Sequence, residues 1–191
     1  MKVIGFTGNY GKEDSLPQAY LMTDSCILYT GRPFFVPDFA QTFVATPAIV
    51  VRMNRLGKCV APKFAHRYWD AFTAAFTVRA CHSDDSRLTG LDRAFDGAAI
   101  VGEWVTVDGL QDVAHVPVVI SVNGLEVANR CLADMRHPLK ELIAATSTRC
   151  SIKMGDMLFT GDAGDALAMK PGDHLTATIN GNQVLDVKVR M

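Results

Sequence analysis

The chain has 191 residues, enough for one domain, or one domain with a small N-terminal appendage. Its Lys+Arg count of 19 against an Asp+Glu count of 20 leaves a net charge of -1. Nucleic acid and anionic membrane surfaces both attract a basic excess, so neither is an expected partner. The composition, 49% hydrophobic and 20% charged, supplies a sizeable core and excludes disorder. No uninterrupted apolar run reaches membrane-spanning length.

In chain order, Lys2–Phe6 reads as a first strand; with one lysine and a very short apolar stretch it does not read as a signal peptide. The polar, Gly-rich Gly8–Ser15 segment is a loop. Cys26–Tyr29 and Phe34–Val36 are short strand candidates bounded by Gly or Pro, and the apolar, β-branched Ile49–Met53 suits a buried strand. A helix is predicted from Pro62 to Phe76. Pro62 fits the first turn, where its missing N–H costs nothing, and Phe64, Tyr68, Phe72 and Phe76 recur every four residues. Beyond it the chain turns mostly to β. Val116–Val122, Asn123-Gly124 and Leu125–Ala128 form a hairpin pattern, because Asn-Gly tolerates the positive φ of a tight type I′ turn. A second short helix is expected from Pro138 to Thr148, with Leu139, Leu142 and Ile143 on one face. The hairpin pattern returns as Leu175–Ile179, Asn180-Gly181 and Val184–Arg190. There is no sequence repeat, low-complexity tract or interdomain linker.

The five cysteines (Cys26, Cys59, Cys81, Cys131 and Cys150) are widely spaced and never paired as CxxC. They read as buried thiols of a reduced, cytoplasmic protein. The one dense cluster of chemical side chains is Cys81-His82-Ser83-Asp84-Asp85. It has two readings: a nucleophile–base pair or metal ligands, or a polar surface loop. The loop is favoured, because neighbours on a strand point to opposite faces. His66 reads as a helix-surface histidine. His115, His137 and His174 lie near turns or element ends without metal-ligand spacing. Asp156 and Asp173, each after a glycine, read as turn residues, and the methionines as core filler.

An ordered set of motifs resembles the fumarylacetoacetate hydrolase family. Arg52–Lys58 followed by Lys63–Asp70 is similar to the segment after the metal-binding strand in bacterial members. Arg93–Trp104 is similar to "K(S/A)FDxxxPxGxW", and Val122-Asn123-Gly124 to the "VNG" hairpin. Met154–Gly161 with Lys170–Asp173 resembles "xxGDxIxTGTPxGVGxxxxGD". The resemblance runs from Lys2 to Arg190. It implies an α+β, mainly β fold, a mixed β roll with a few short helices, as a single domain over residues 1–191. Residues 1–40 or so would supply N-terminal strands and a lid-like loop. It also implies a homodimer and a small-molecule carboxylate as ligand. Family members cleave, hydrate, isomerise or decarboxylate small 2-oxo acids, using Mg²⁺ or Mn²⁺ to hold the substrate and stabilise its enolate.

The family's metal strand reads roughly "xExExxVVx", whereas Gln41–Met53 contains no carboxylate. The two glutamates fall at Thr46 and Ala48, or with a shift of two at Val44 and Thr46. The aspartate falls near Thr77, or with a different gap at Cys81. No metal cofactor is therefore expected. The family's lysine is Arg93, which can clamp a carboxylate but serves poorly as a base. In the "RNYxxH" loop Asn9 and Tyr10 remain while the arginine and histidine do not, leaving Glu13 as the nearby candidate base. In the "TGTPxGVG" loop Thr160 and Gly161 remain, where a hydroxyl and backbone N–H groups could meet an anion; Asp162 and Asp165 add negative charge there. Arg93, Glu13 and Thr160 are the candidate catalytic residues, and Asn9, Tyr10, Arg93, Thr160 and Gly161 the candidate substrate-binding ones. Two functions follow from the resemblance. One is an enzyme acting on an oxo acid, a hydrolase, isomerase or decarboxylase with lost or altered metal dependence. The other is a non-catalytic dimer that binds a small carboxylate or a protein partner.

Overall fold

The computed structural model of the chain describes residues 1–11, 17–81 and 90–191. Among these the architecture is two β-sheets and one α-helix. The strands of the larger sheet are β1 (Val3–Phe6), β2 (Ala19–Met22), β3 (Ile27–Tyr29), β5 (Thr42–Met53), β6 (Trp69–Cys81), β7 (Ala99–Val101), β8 (Val105–Thr106), β11 (Met157–Asp162) and β12 (Leu167–Ala168). They run in the order β2-β1-β11-β5-β6-β7-β3, with β12 beside β5 and β8 beside β6. The smaller sheet is β10-β9-β13-β14-β4, from β4 (Phe34–Phe35), β9 (Val118–Val122), β10 (Leu125–Arg130), β13 (His174–Ile179) and β14 (Asn182–Arg190). Parallel pairs (β1 with β11, β3 with β7, β4 with β14) sit among antiparallel ones, so the fold is mixed and mainly β, as the resemblance implies.

The core lies between the sheets. Along β5 the odd-numbered Phe43, Ala45, Ile49, Val51 and Met53, and along β6 the even-numbered Phe72, Ala74, Phe76 and Val78, share one apolar cluster. Ile120, Leu175, Ala177, Leu185 and Val187 of the smaller sheet belong to the same cluster. Period-2 alternation on paired strands puts each set on one face. The opposite face of the larger sheet has its own smaller cluster of Val3, Ala48, Val50, Ala75, Val101 and Phe159.

Both Asn-Gly hairpins form where the sequence places them. Asn123 and Asn180 have φ of 54° and 50°, and Gly124 and Gly181 follow at 78° and 79°, the two consecutive positive values of a type I′ turn. The second helix, α1, spans Leu139–Arg149 after Pro138 and buries Leu139, Leu142 and Ile143. Asp156 and Asp173 accept the backbone N–H groups of Lys153 and Lys170, three residues back, which fixes both as turn residues.

The helix predicted from Pro62 to Phe76 is corrected. A 3-10 turn covers Pro62–Arg67, and from Trp69 the chain is strand β6, paired with β5 along almost its whole length. The aromatic spacing fits both structures, since residues four apart share a face on a strand as well as on a helix. Thr73, Thr77 and Val78 are β-branched, and pairing with β5 on one edge and with β7 and β8 on the other takes up backbone groups in a segment buried over most of its length. Phe64, at the start of the supposed stripe, is 42% exposed. Two smaller shifts also occur. Cys26 closes a 3-10 turn ahead of β3, and β5 begins at Thr42, well before Ile49.

Candidate functional site

The outer face of the larger sheet carries a short ladder of small side chains. Thr46 of β5 lies directly across from Thr77 of β6, and Ala48 from Ala75; Val44 faces Arg79. Thr46 and Ala48 are two apart on one strand and therefore point the same way. All three positions where the resemblance puts metal-binding carboxylates are thus neighbours on one face.

A fourth neighbour arrives from β11. Phe159 pairs with Val50, but the next pair is Asp162 with Ala48, so β11 holds one extra residue there. Such a bulge re-aims the side chains beyond it. Gly161 sits in it at φ 142°, and a Cβ there would approach the Cβ of Asn9 to 2.6 Å. A side chain at 161 would therefore drive the N-terminal loop off the strand, which is why glycine is needed. The bulge sets the Asp162 carboxylate beside Ala48 on the outer face.

A cavity of about 470 Å³ opens over this ladder. Thr46, Tyr10, Arg79, Arg93, Arg130 and Asp162 line it, with Gly8, Gly164 and Asp165 at its rim. Each side chain is positioned from a different element. Arg79 is the exposed residue near the end of β6. Arg130 ends β10 and donates from Nε to the Ala163 carbonyl at 3.2 Å. The Arg93 guanidinium carbon stands 4.6 Å over the centre of the Tyr20 ring, a cation–π contact that fixes its plane. Arg93 Nη1 is buried and has no hydrogen-bond partner. Burial pushes the Tyr20 hydroxyl above its ordinary range, with the Arg93 charge opposing.

Asp162 is half-buried. One carboxylate oxygen accepts the Gly8 N–H at 3.2 Å. Burial raises its pKa above the ordinary carboxylate value, while the Gly8 N–H and the Arg93 charge oppose the rise. No ion pair joins Asp162 to Arg93 among the described residues.

The remaining candidates divide. Thr160 is fully buried beneath the cavity. Its hydroxyl donates to the Ile49 carbonyl at 2.9 Å and meets the Tyr10 hydroxyl at 2.9 Å. Asn9 is also fully buried, donating to the carbonyls of His137 and Thr160 and accepting the His137 N–H. Both side chains have their hydrogen bonds taken up within the protein. They hold Tyr10 and the N-terminal loop against β11 and present nothing to the cavity. Burial carries the Tyr10 hydroxyl well above its usual range, so it stays protonated. Glu13 lies outside the described residues, as do His82, Ser83, Asp84 and Asp85 of the cysteine–histidine cluster. His66 is exposed on the 3-10 turn, not on a helix. His115, His137 and His174 each pair with one carboxylate, of Asp112, Glu141 and Asp186.

A divalent hard cation calls for several oxygen ligands with at least two negative charges among them. The oxygen groups here are the hydroxyls of Thr46 and Thr77 and the carboxylates of Asp162 and, at the rim, Asp165, with the three positive charges of Arg93, Arg79 and Arg130 around the same space. These residues do not fit Mg²⁺ or Mn²⁺. Among the described residues no three of His, Cys, Asp or Glu come together as a group able to hold an ion.

Arg79 and Arg130 line the cavity but were not candidates from sequence, and Asp162, read there only as added negative charge, is part of the lining too. Arg79 had a usable signal, as the one charge between Ala71 and Cys81 in an otherwise apolar or threonine run.

Residues 8–190 match the family described as fumarylacetoacetate (FAA) hydrolase C-terminal. Among curated proteins, the chain is 26% identical over 171 residues to a 4-hydroxyphenylacetate degradation bifunctional isomerase/decarboxylase of Salmonella dublin. That alignment covers 87% of this chain and 38% of the relative. It is 29% identical over 93 residues to an oxaloacetate tautomerase of Escherichia coli strain K12, covering 48% of this chain and 42% of the relative. The chain thus aligns with well under half the length of either. Among solved structures, fumarylpyruvate hydrolase from Pseudomonas aeruginosa, in complex with Mn²⁺ and pyruvate, superposes with a TM-score of 0.88. Its identity is 15%, and the match covers 100% of this chain and 90% of that one. A 5-carboxymethyl-2-hydroxymuconate delta-isomerase from Mycobacterium smegmatis gives a TM-score of 0.86 at 22% identity, covering 99% of this chain and 78% of that one. These structural likenesses concern the fold.

Proposed function

The chain belongs to the fumarylacetoacetate hydrolase family, and from that premise we propose that its cavity binds a small oxo-acid or dicarboxylate directly through arginine, without the metal-dependent step. One observation carries the reading: Arg79, Arg93 and Arg130, from three separate parts of the chain, line one cavity at the positions where the resemblance puts metal-binding carboxylates. Guanidinium groups gathered at one cavity favour an anion, and a ligand carboxylate would pair with them. Arg79 and Arg130 on the same cavity can take a second carboxylate. The relatives' names point to the same class of ligand, since an oxaloacetate tautomerase acts on a small oxo-dicarboxylate. Arginine supplies fixed positive charge and no proton exchange, so the arrangement favours holding the ligand over turning it over.

The test is calorimetric titration of EDTA-stripped protein with oxalate, alone and with Mn²⁺ or Mg²⁺, beside an assay of metal-stimulated oxaloacetate tautomerisation. Oxalate should bind without metal, and neither ion should add heat or activity. Arg93→Ala should weaken oxalate by roughly ten- to a hundredfold, from about 1.5–3 kcal/mol for a charge-assisted hydrogen bond, while changing the unfolding midpoint much less. Stoichiometric micromolar Mn²⁺ binding with metal-dependent turnover would overturn the proposal.

A further inference from the structure

We propose that Asp162 is the specificity residue of this cavity: its carboxylate holds the place of a ligand's anionic group before Arg93, and an anion takes that place only together with a proton delivered to Asp162. The inference deepens the carboxylate-binding reading and rests on it.

The geometry comes first. The bulge in β11 turns Asp162 toward the outer face, beside Ala48 and over the cavity that Arg93 walls. The Gly8 N–H takes one of its oxygens. Asp162 and Arg93 line the same cavity, and the Arg93 charge acts on the Asp162 carboxylate without an ion pair joining the two among the described residues. A ligand carboxylate there would gain Arg93 but face Asp162, and two carboxylates in one half-buried corner cannot both keep their charge cheaply. The groups that face Asp162 decide which one yields. Arg93 and the Gly8 N–H favour its charged form, and Arg79 from β6 and Arg130 from β10 add positive charge to the cavity. Tyr20 from β2 and Tyr10 from the N-terminal loop are neutral, and Asp165, between β11 and β12, is exposed at the edge of the same cavity. Asp162 is already held above the ordinary carboxylate range by burial, so the incoming anion needs to move it only further in the same direction. The expected linkage is one proton from solvent taken up by the Asp162 carboxylate for each anion seated. Ligand binding then strengthens as pH falls.

The experiment is oxalate calorimetry on the wild-type protein, Asp162→Asn and, as a control at an exposed carboxylate away from the cavity, Asp108→Asn, between about pH 5.5 and about pH 8, where oxalate stays ionised. Two buffers of different ionisation enthalpy report the protons taken up. Wild type should bind oxalate progressively more weakly as pH rises, with a net proton uptake on binding equal to the slope of that decline. Asp162→Asn, whose amide oxygen can still accept the Gly8 N–H, should bind about tenfold more tightly near pH 7, the effect of about one pK unit of charge repulsion. Its proton uptake should be close to zero. Asp108→Asn should keep the wild-type uptake. Equal affinity and equal uptake in wild type and Asp162→Asn would remove Asp162 from this role and leave the carboxylate reading standing. Oxalate failing to bind either protein at any pH would overturn the carboxylate reading, and this inference with it. If Asp162→Asn fails to fold, the proton uptake of the wild type decides by itself, and an uptake of zero overturns the proposal.

Discussion

Toward the second sheet, β5 and β6 present Phe43, Ile49, Val51, Met53, Phe72 and Phe76, all 2% exposed or less. In the other direction the same two strands present Val44, Thr46 and Ala48 across from Arg79, Thr77 and Ala75. The inner face is large, apolar and interlocked with the smaller sheet. The outer face is small and hydroxyl-rich, with Thr46 across from Thr77 and Thr73 further along β6. One face carries the packing that maintains the fold, and the other supplies Val44, Thr46 and Arg79 to the lining of the cavity.

The sharpest way to break this division is on the inner face. Phe76→Ala should cost about 3–5 kcal/mol in a denaturant titration, through lost burial and the cavity left behind. A cost below about 1 kcal/mol would mean the core is not where the strand alternation puts it.

The outer face can be tested by putting charge back. The combined variant Thr46→Glu, Ala48→Glu, Thr77→Asp should lose several kcal/mol without metal, because it crowds buried carboxylates together. Mn²⁺ at about a hundred times its dissociation constant should return about 2.7 kcal/mol, seen as a rise of roughly 5–10 °C in Tm. Wild type should show no such response. A folded triple variant that ignores Mn²⁺ would sink the register that places the lost ligands at these three residues.

The smallest effect concerns neither face. Cys59 is exposed and holds a φ of 52°, in the left-handed region where a Cβ costs about 1–2 kcal/mol. Cys59→Gly relieves that strain but frees the unfolded chain, so the net gain should be about 0.5 kcal/mol in a denaturant titration. A loss of stability would show that the Cys59 side chain contributes more than its backbone costs.

How far the sequence could be read depended on the range of the signal. The hairpins at Asn123-Gly124 and Asn180-Gly181 were legible because the requirement for positive φ is met by two adjacent residues. Helix α1 was legible from Pro138 and three apolar residues. The strand Trp69–Cys81 was not, because Phe72 and Phe76 satisfy helical and extended periodicities alike, and only the pairing with β5 decides between them. The same misreading concealed Arg79, which looks ordinary on a helix surface and conspicuous on a strand buried along most of its length. The three ligand positions could be placed by resemblance because they lie on two adjacent strands. Asp162 and Arg130 reach the cavity only through the β11 bulge and the end of β10, which short-range patterns do not encode. Thr160 and Asn9 show the converse: their motifs persist, but the structure spends both side chains on holding the N-terminal loop.

That loop ties the cavity to the order in which the chain can fold. The Gly8 N–H and the Asp162 carboxylate are 154 positions apart, and β1 pairs with β11 in parallel over the same separation. Closing so long a loop costs about 2 kcal/mol more than closing one of ten residues. Contacts of this range also slow the crossing of the folding barrier. On the ribosome, the hairpin of β9 and β10 can form as soon as it emerges. The corner where Gly8 meets Asp162 must wait until residue 162 has been made and the first strand has found its place between β2 and β11. The cavity thus depends on contacts between residues far apart in the chain, and it cannot close before both sides of those contacts exist.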